Sequence, residues 1–326
     1  MKNTKPIASL SFDLDNQWSY MKTHGDYGWD SFPSYLDIVI PRVLKFLNDR
    51  NLKITFFIVG QDAALDKNFD ALRMITEAGH EIGNHSFNHE PWLHLYSEEL
   101  IESEISQTEE HIERVTGHKP IGFRGPGYSL SPSVLRVLSR RGYLYDASTL
   151  PTFLGPLARL YYFMTTRLSP EEKKNRKLLF GSVSDGLRPI RPYKWKIDES
   201  GESIIEIPVT TMPIFRIPFH LSYILFINRF SPFLARTYFH IAMILCRITR
   251  IQPSLLLHPL DFLGGDDIKE LDFFPAMNLS SQKKIKLVGD ILTIYSDYFT
   301  IVPIGQYAQG ISTEKRLRFI KPKSSS

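Results

Sequence analysis

Apolar positions along this chain recur with two periods, and their alternation lays out the fold before any motif is considered. Short runs dense in β-branched and aromatic residues predict strands at Ile7–Asp13, Lys53–Val59, Glu81–Asn84, Ile121–Arg124, Tyr143–Ala147, Ser203–Pro208, Ser254–His258 and Phe299–Pro303. Between them, apolar residues spaced by three and four predict helices over Leu36–Arg50, Asn68–Ala78, Ser97–Thr116, Ser131–Arg141 and Ser280–Tyr298. The third of these opens on Ser97-Glu98-Glu99 and stops before Gly117, a start and a stop of the kind helices use. Strand and helix in steady succession argue for an α/β protein with a parallel sheet, open or closed into a barrel.

One stretch breaks the rhythm. From Pro151 to about Gln252 prolines and aromatics are frequent and one convincing strand stands out, so 151–252 reads as an elaboration within a single domain spanning 1–310, followed by a flexible basic tail at 311–326. Between Ile207 and Leu260 there is no Asp or Glu, whereas Arg216, Arg229, Arg236, Arg247 and Arg250 all fall there. With Pro232 near a helix start, Arg229, Arg236, His240, Arg247 and Arg250 lie within about 80° of one another on the helical circumference, and aliphatics fill the rest. The tail adds Lys315, Arg316, Arg318, Lys321 and Lys323.

Charge and composition then narrow the partners. The net charge of +4 is modest, and the basic positions are interleaved with aliphatics rather than with stacking aromatics, which suits an anionic bilayer better than nucleic acid. A buried helix with snorkelling arginines and a solvated tail is the alternative. No run reaches the roughly 18–20 uncharged residues of a bilayer span, so 207–252 is expected to lie in the interface as a peripheral element. With 43% hydrophobic and 23% charged residues, the chain has ordinary globular composition. Cys246 is the single cysteine and can form no internal disulfide, and residues 1–14 lack the apolar block of a signal peptide, so a cytoplasmic location is expected, at the inner membrane face.

Four constellations carry chemistry. In Ser11-Phe12-Asp13-Leu14-Asp15-Asn16 the two acids stand at i and i+2 near a strand's end, so their carboxylates share a side and need a cation or donor between them. His85 and His89 follow a short strand at i and i+4; if the chain turns helical at Asn84, both imidazoles stack on one face, close enough to bind one ion together with a carboxylate. Gly122-Phe123-Arg124-Gly125-Pro126-Gly127-Tyr128 supplies a fixed cation and a stiff loop whose N–H groups can face a substrate oxygen. Leu255-Leu256-Leu257-His258-Pro259 is a buried-strand run ending in histidine.

An Asp pair on the first strand, His-x-x-x-His after the third, Arg-x-Pro after the fourth and Leu-x-x-His near the end, in that order, resemble the polysaccharide deacetylase family, also called the NodB-homology domain or carbohydrate esterase family 4. Ile54-Thr55-Phe56-Phe57-Ile58-Val59-Gly60 is similar to that family's second strand, and the likeness runs over about 7–128 and again over 254–303. It implies a distorted (β/α)7–8 barrel with a large helical and irregular insertion. It also implies one divalent ion on Asp15, His85 and His89, zinc foremost with Co2+, Ni2+, Mn2+ or Fe2+ as alternatives. Asp13 would be the general base, Arg124 its orienting partner, His258 the general acid, and a backbone N–H at Gly127 or Tyr128 an oxyanion donor, with Trp18 and Asp146 beside the substrate. The reaction implied is hydrolysis of a sugar's N-acetyl or N-formyl amide.

Leu14 separates the aspartates that stand adjacent in the family's commonest form. That variant is similar to a subgroup acting on lipid-linked sugars, which points towards an undecaprenyl-linked or polysaccharide-precursor substrate and away from chitin or peptidoglycan. The aspartate that tunes the acid histidine is open between Asp146, Asp185 and Asp261. Two rival readings remain: a haloacid dehalogenase-like phosphatase using Asp13, Asp15 and the late pair Asp266 and Asp267, and an inactive deacetylase-like protein that binds glycans or membranes.

Overall fold

The computed structural model describes residues 5–155, 183–197, 201–313 and 317–322, with Leu157, Met164, Thr166 and Leu168 between the first two segments. Of the irregular stretch expected at 151–252, most of residues 156–182 lie outside the described residues, as do the tail residues Lys315, Arg316 and Lys323. The strands are β1 (Ile7–Asp13), β2 (Thr55–Ile58), β3 (Glu81–Asn84), β4 (Gly122–Phe123), β5 (Tyr145–Asp146), β6 (Tyr193–Lys196), β7 (Ser203–Glu206), β8 (Ser254–Leu257), β9 (Thr300–Val302) and β10 (Phe319–Ile320). They form one sheet in the order β10-β6-β7-β5-β4-β3-β2-β1-β8, with β9 also on β1.

The path curls into a ring. Beyond β7, Thr210 N–H donates to the Ser254 carbonyl at 3.0 Å, and Ser254 N–H donates to Thr210 Oγ1 at 2.8 Å, so the chain leaving β7 meets the start of β8. Strands β1, β2, β3, β4, β5, β7 and β8 therefore surround a common axis as a distorted barrel, all parallel where they pair with one another. Parallel β1 is apolar at Ala8, Leu10 and Phe12 and buried on both faces, as a strand between the barrel interior and the outer helices must be. The carboxyl ends of these strands open on one side, where barrel sites form.

Two strands were not foreseen. The alternation Tyr193-Lys194-Trp195-Lys196 buries both aromatics and runs antiparallel to β7. Phe319 and Ile320 then pair parallel with Lys194 and Trp195, so the described part of the tail is an edge strand and not a free extension.

The helices needed here are α1 (Gln17–His24), α2 (Leu36–Asn48), α3 (Gly60–Ala64), α4 (Phe69–Glu77), α5 (Glu98–Thr116), α6 (Pro132–Arg140), α7 (Leu221–Asn228), α8 (Pro232–Ile248), α9 (Ser281–Tyr298) and α10 (Ile304–Ser312). Helix α8 buries Ala235, Phe239, Ala242, Met243 and Cys246 against the core. The basic stripe on this helix is turned towards α9: Arg236 is ion-paired with Asp290, the His240 ring lies 6.1 Å from that of Tyr298, and Arg247 sits over Phe299. What α8 leaves to solvent is a second apolar stripe, Leu234, Ile241, Ile244 and Ile248, within about 80° on the circumference. Phe226 on α7, with Phe230 and Phe233 at the α7–α8 corner, continues it, the last two being 73% and 78% exposed. Among the described residues no helix is long and apolar enough to cross a membrane.

Candidate active site

The site begins where β1 ends. Phe12 pairs with Phe56 on one side and Leu257 on the other, so Asp13 stands at the mouth of the barrel beside the end of β8 that leads into His258. Asn16 turns the chain into α1: its Oδ1 accepts the N–H of Gln17 at 2.8 Å, and its Nδ2 donates to Asp62 at 2.7 Å and Ser34 at 2.9 Å. The short loop this fixes holds Asp15 in place, helped by Tyr35, whose hydroxyl donates to the Asp15 carbonyl at 2.5 Å.

His85 and His89 do not stack on a helix. After β3 the chain makes a tight turn in which Asn84 Oδ1 accepts the Ser86 N–H at 2.8 Å, with Ser86 and His89 both in the left-handed region at φ 60° and 50°. The turn is pinned from two sides. Gly60 and Gln61 at the start of α3 donate to the carbonyls of Ser86 and Phe87 at 2.9 and 3.0 Å, and buried Glu104 on α5 accepts the N–H groups of Phe87 and Asn88 at 2.9 Å each. A Cβ on Gly60 would lie 2.6 Å from the Phe87 ring and 2.5 Å from Thr108, so only glycine allows this approach.

That turn delivers both imidazoles to Asp15. His89 Nε2 lies 3.1 Å and His85 Nε2 3.3 Å from Asp15 Oδ1, and one ligand atom from each residue falls within 4.8 Å of the others. His85 Nδ1 lies 2.6 Å from the Arg124 carbonyl; donation to that oxygen leaves the Nε2 lone pair facing Asp15, the tautomer a metal ligand requires. Burial raises the Asp15 carboxyl, but the charges and hydrogen bonds of His89 and His85 outweigh it and hold the group well below the usual carboxylate range. Burial lowers His85, and its hydrogen bond to Asp15 with the charges of Asp13 and Asp15 more than reverses this. One carboxylate and two imidazoles converging with their donor atoms inward fit a divalent ion with further positions open.

Arg124 is the hub of the other half. Fully buried, it donates from Nη1 to Asp13 Oδ1 at 2.6 Å and Ser11 Oγ at 2.8 Å, and from Nε to the Ala147 carbonyl at 3.0 Å, with its guanidinium 4.4 Å from the Phe57 ring centre. It thus ties β1, β2, β4 and the end of β5 while orienting Asp13. Arg124→Met would leave that carboxylate buried without its partner, and a loss of about 3–5 kcal/mol is expected in urea unfolding.

Other expected site residues are redistributed. Trp18 is 1% exposed and gives its indole N–H to Asp62 at 2.9 Å, so it belongs to the support of the Asp15 loop and not to a substrate surface. Tyr128 N–H donates to the Gly125 carbonyl at 3.0 Å, which removes it as an oxyanion donor and leaves Gly127. The Tyr128 phenol is raised by burial and then by the Asp13 carboxylate. Gly125 must be glycine, since a Cβ there would meet the Ser129 carbonyl oxygen at 2.1 Å.

Asp146 is wholly buried, accepting from Ser148 Oγ at 2.5 Å beside Glu206, and offers nothing to a substrate directly. Asp185 is ion-paired with Arg188 at 2.9 Å. Asp261 is the candidate that reaches His258, yet it accepts the backbone N–H, at 2.7 Å, and not the ring. The loop carrying both is braced by Lys284, an unforeseen buried lysine whose Nζ donates to the carbonyls of Leu260 and Leu263 at 2.8 Å. The late acidic pair has structural employment: Asp267 binds Arg42 in bidentate fashion and Asp266 accepts from Ser281, which removes the phosphatase reading's second pair from the site.

The family profile described as Polysaccharide deacetylase matches residues 26–145, a span that contains His85, His89 and Arg124 but not Asp13, Asp15 or His258. A peptidoglycan deacetylase of Helicobacter pylori is 27% identical over 206 residues, 59% of this chain and 67% of that protein. A peptidoglycan deacetylase-like protein of Gibberella zeae is 28% identical over 171 residues, 49% of this chain and 47% of that protein. The chain thus spans between about half and two thirds of these relatives. The crystal structure of a protein assigned as a polysaccharide deacetylase from Mycobacterium smegmatis superposes with a TM-score of 0.64 at 18% identity, over 100% of this chain and 96% of that one, a likeness of fold.

Proposed function

This chain belongs to the polysaccharide deacetylase family, and from that premise we propose that it is a metal-dependent hydrolase removing the acyl group from an N-acylated sugar. The observation that carries this reading is the convergence of Asp15, His85 and His89 beside an Asp13 carboxylate already clamped by Arg124. A divalent ion on the three ligands, zinc by the preference of a two-His, one-carboxylate set, would supply Lewis acidity to the acyl carbonyl and to the attacking water. Asp13 accepts the proton as the water oxygen bonds to the carbonyl carbon. The Gly127 N–H stabilises the oxyanion, and His258 delivers a proton to the nitrogen as the C–N bond breaks, giving an amine and a carboxylate.

The names of the relatives favour an acetyl group and keep peptidoglycan in view, against the direction in which the Asp-x-Asp spacing points. The surface favours a lipid-linked sugar at the inner membrane face. Helix α7 begins beside His258 and ends in the exposed apolar band, an apolar face of the kind that lies in a bilayer interface, while Arg236 and Arg247 are turned towards α9. Each phenyl that enters a bilayer contributes about 1.5–3 kcal/mol, so Phe230→Ser with Phe233→Ser is expected to weaken binding to phosphatidylglycerol vesicles about tenfold or more. Equal vesicle binding by the variant, or none by the wild type, removes the membrane part alone. The reaction itself is tested by acetate and formate release from N-acyl sugars, lipid-linked and polymeric, with zinc-loaded protein; no release from any of them overturns it.

A further inference from the structure

The sequence leaves the partner of the acid histidine open among three aspartates; Asp261 holds the His258 backbone N–H at 2.7 Å and its charge faces His258, but none of the three hydrogen-bonds the ring. What packs there is another imidazole. His220, at the start of α7, is 7% exposed; its ring lies 6.1 Å from that of His258 at 60° and 4.8 Å from that of Tyr223 at 88°. Its carbonyl accepts the N–H groups of Tyr223 and Ile224 at 3.0 and 3.3 Å, so the backbone that carries the ring is fixed by the first turn of the helix. Nδ1 of His220 and Nδ1 of His258 are both buried without a hydrogen-bond partner among the described residues, so each has room for a polar group between or beside the two rings.

We propose that His220 is the positioning residue of the acid side of the site, its ring holding the His258 imidazole in the place where a carboxylate would otherwise stand. The inference rests on the hydrolase reading above and deepens it. Burial drives the His220 ring down to about 3, with the charges of His258 and Arg124 adding to the effect, so it stays neutral at working pH and can accept a hydrogen bond from a protonated His258. The groups facing it are His258, Arg124 and Tyr223.

The test is a variant series in the zinc-loaded protein. His220→Phe is expected to lower kcat at least tenfold with KM within about threefold and zinc content unchanged. His220→Asn, which keeps an acceptor, restores most of the rate. His220→Asp moves the alkaline limb of the rate profile up by about one pH unit or more. An unmoved limb in His220→Asp, or equal rates in all three, overturns the assignment. The same series read by nitrogen-15 NMR of the His258 ring, identified by its loss in His258→Gln, needs no turnover: a His258 signal that titrates at the same pH in wild type and His220→Asp contradicts the proposal even if no substrate is ever found, whereas an upward move supports it.

Discussion

Asp13→Asn is expected to lower kcat for acyl release by about 10²–10⁴-fold, the range general-base catalysis contributes, while the protein keeps its metal and its fold. The asparagine has the same shape and still accepts from Arg124 through its oxygen, so the bond now made at 2.6 Å is weakened but not lost. What disappears is the capacity to take a proton from water. The split between rate and metal content separates this role from ligation. Steady-state kinetics with metal analysis of the same preparation checks it, and a variant that turns over at wild-type speed takes Asp13 out of the reaction.

The second large effect belongs to the ligands. His89→Ala is expected to abolish measurable turnover and weaken zinc affinity by more than the about 10–100-fold that loss of an outer partner costs, because it removes one of three direct donors. His85→Ala adds a further loss, since the imidazole steered by the Arg124 carbonyl goes with it. Zinc competes with protons at these rings, and His85 is held above its ordinary range by Asp15, so affinity is expected to fall as pH drops. Competition with a chelating dye across pH measures both; an affinity equal to wild type in His89→Ala places the metal elsewhere.

The parts of this site legible in sequence share a cause. Asp13, Asp15 and Arg124 stand at the ends of short parallel strands whose apolar runs are unmistakable, and in a barrel such ends converge. Spacing also brought His85 and His89 together correctly in space but through the wrong backbone, since i and i+4 suggests a helix whereas Asn84 builds a turn. The signal was present in the Asn-His-Ser order, where an asparagine side chain can bond the N–H two residues on.

Trp18 could not be read as buried because its partner, Asp62, lies 44 residues away. Nor could Glu104 be read as an anchor for the histidine turn, since a mid-helix glutamate carries no local mark of burial. His220 sits in an acid-free segment outside the matched family span, where nothing in the pattern separates it from an ordinary helix-starting residue. The basic stripe of α8 was correctly placed on one side of that helix, but whether it faces α9 or water depends on Asp290 and Tyr298, which only tertiary packing supplies.

The central claim is that three side chains from two separate strand ends hold one ion. Anomalous X-ray diffraction from crystals soaked in zinc tests it most directly. The expected result is a single strong peak about 2.0–2.2 Å from a carboxylate oxygen of Asp15 and from Nε2 of His85 and of His89. A zinc-saturated crystal with no peak among these three residues, or with its peak at other side chains, contradicts the account.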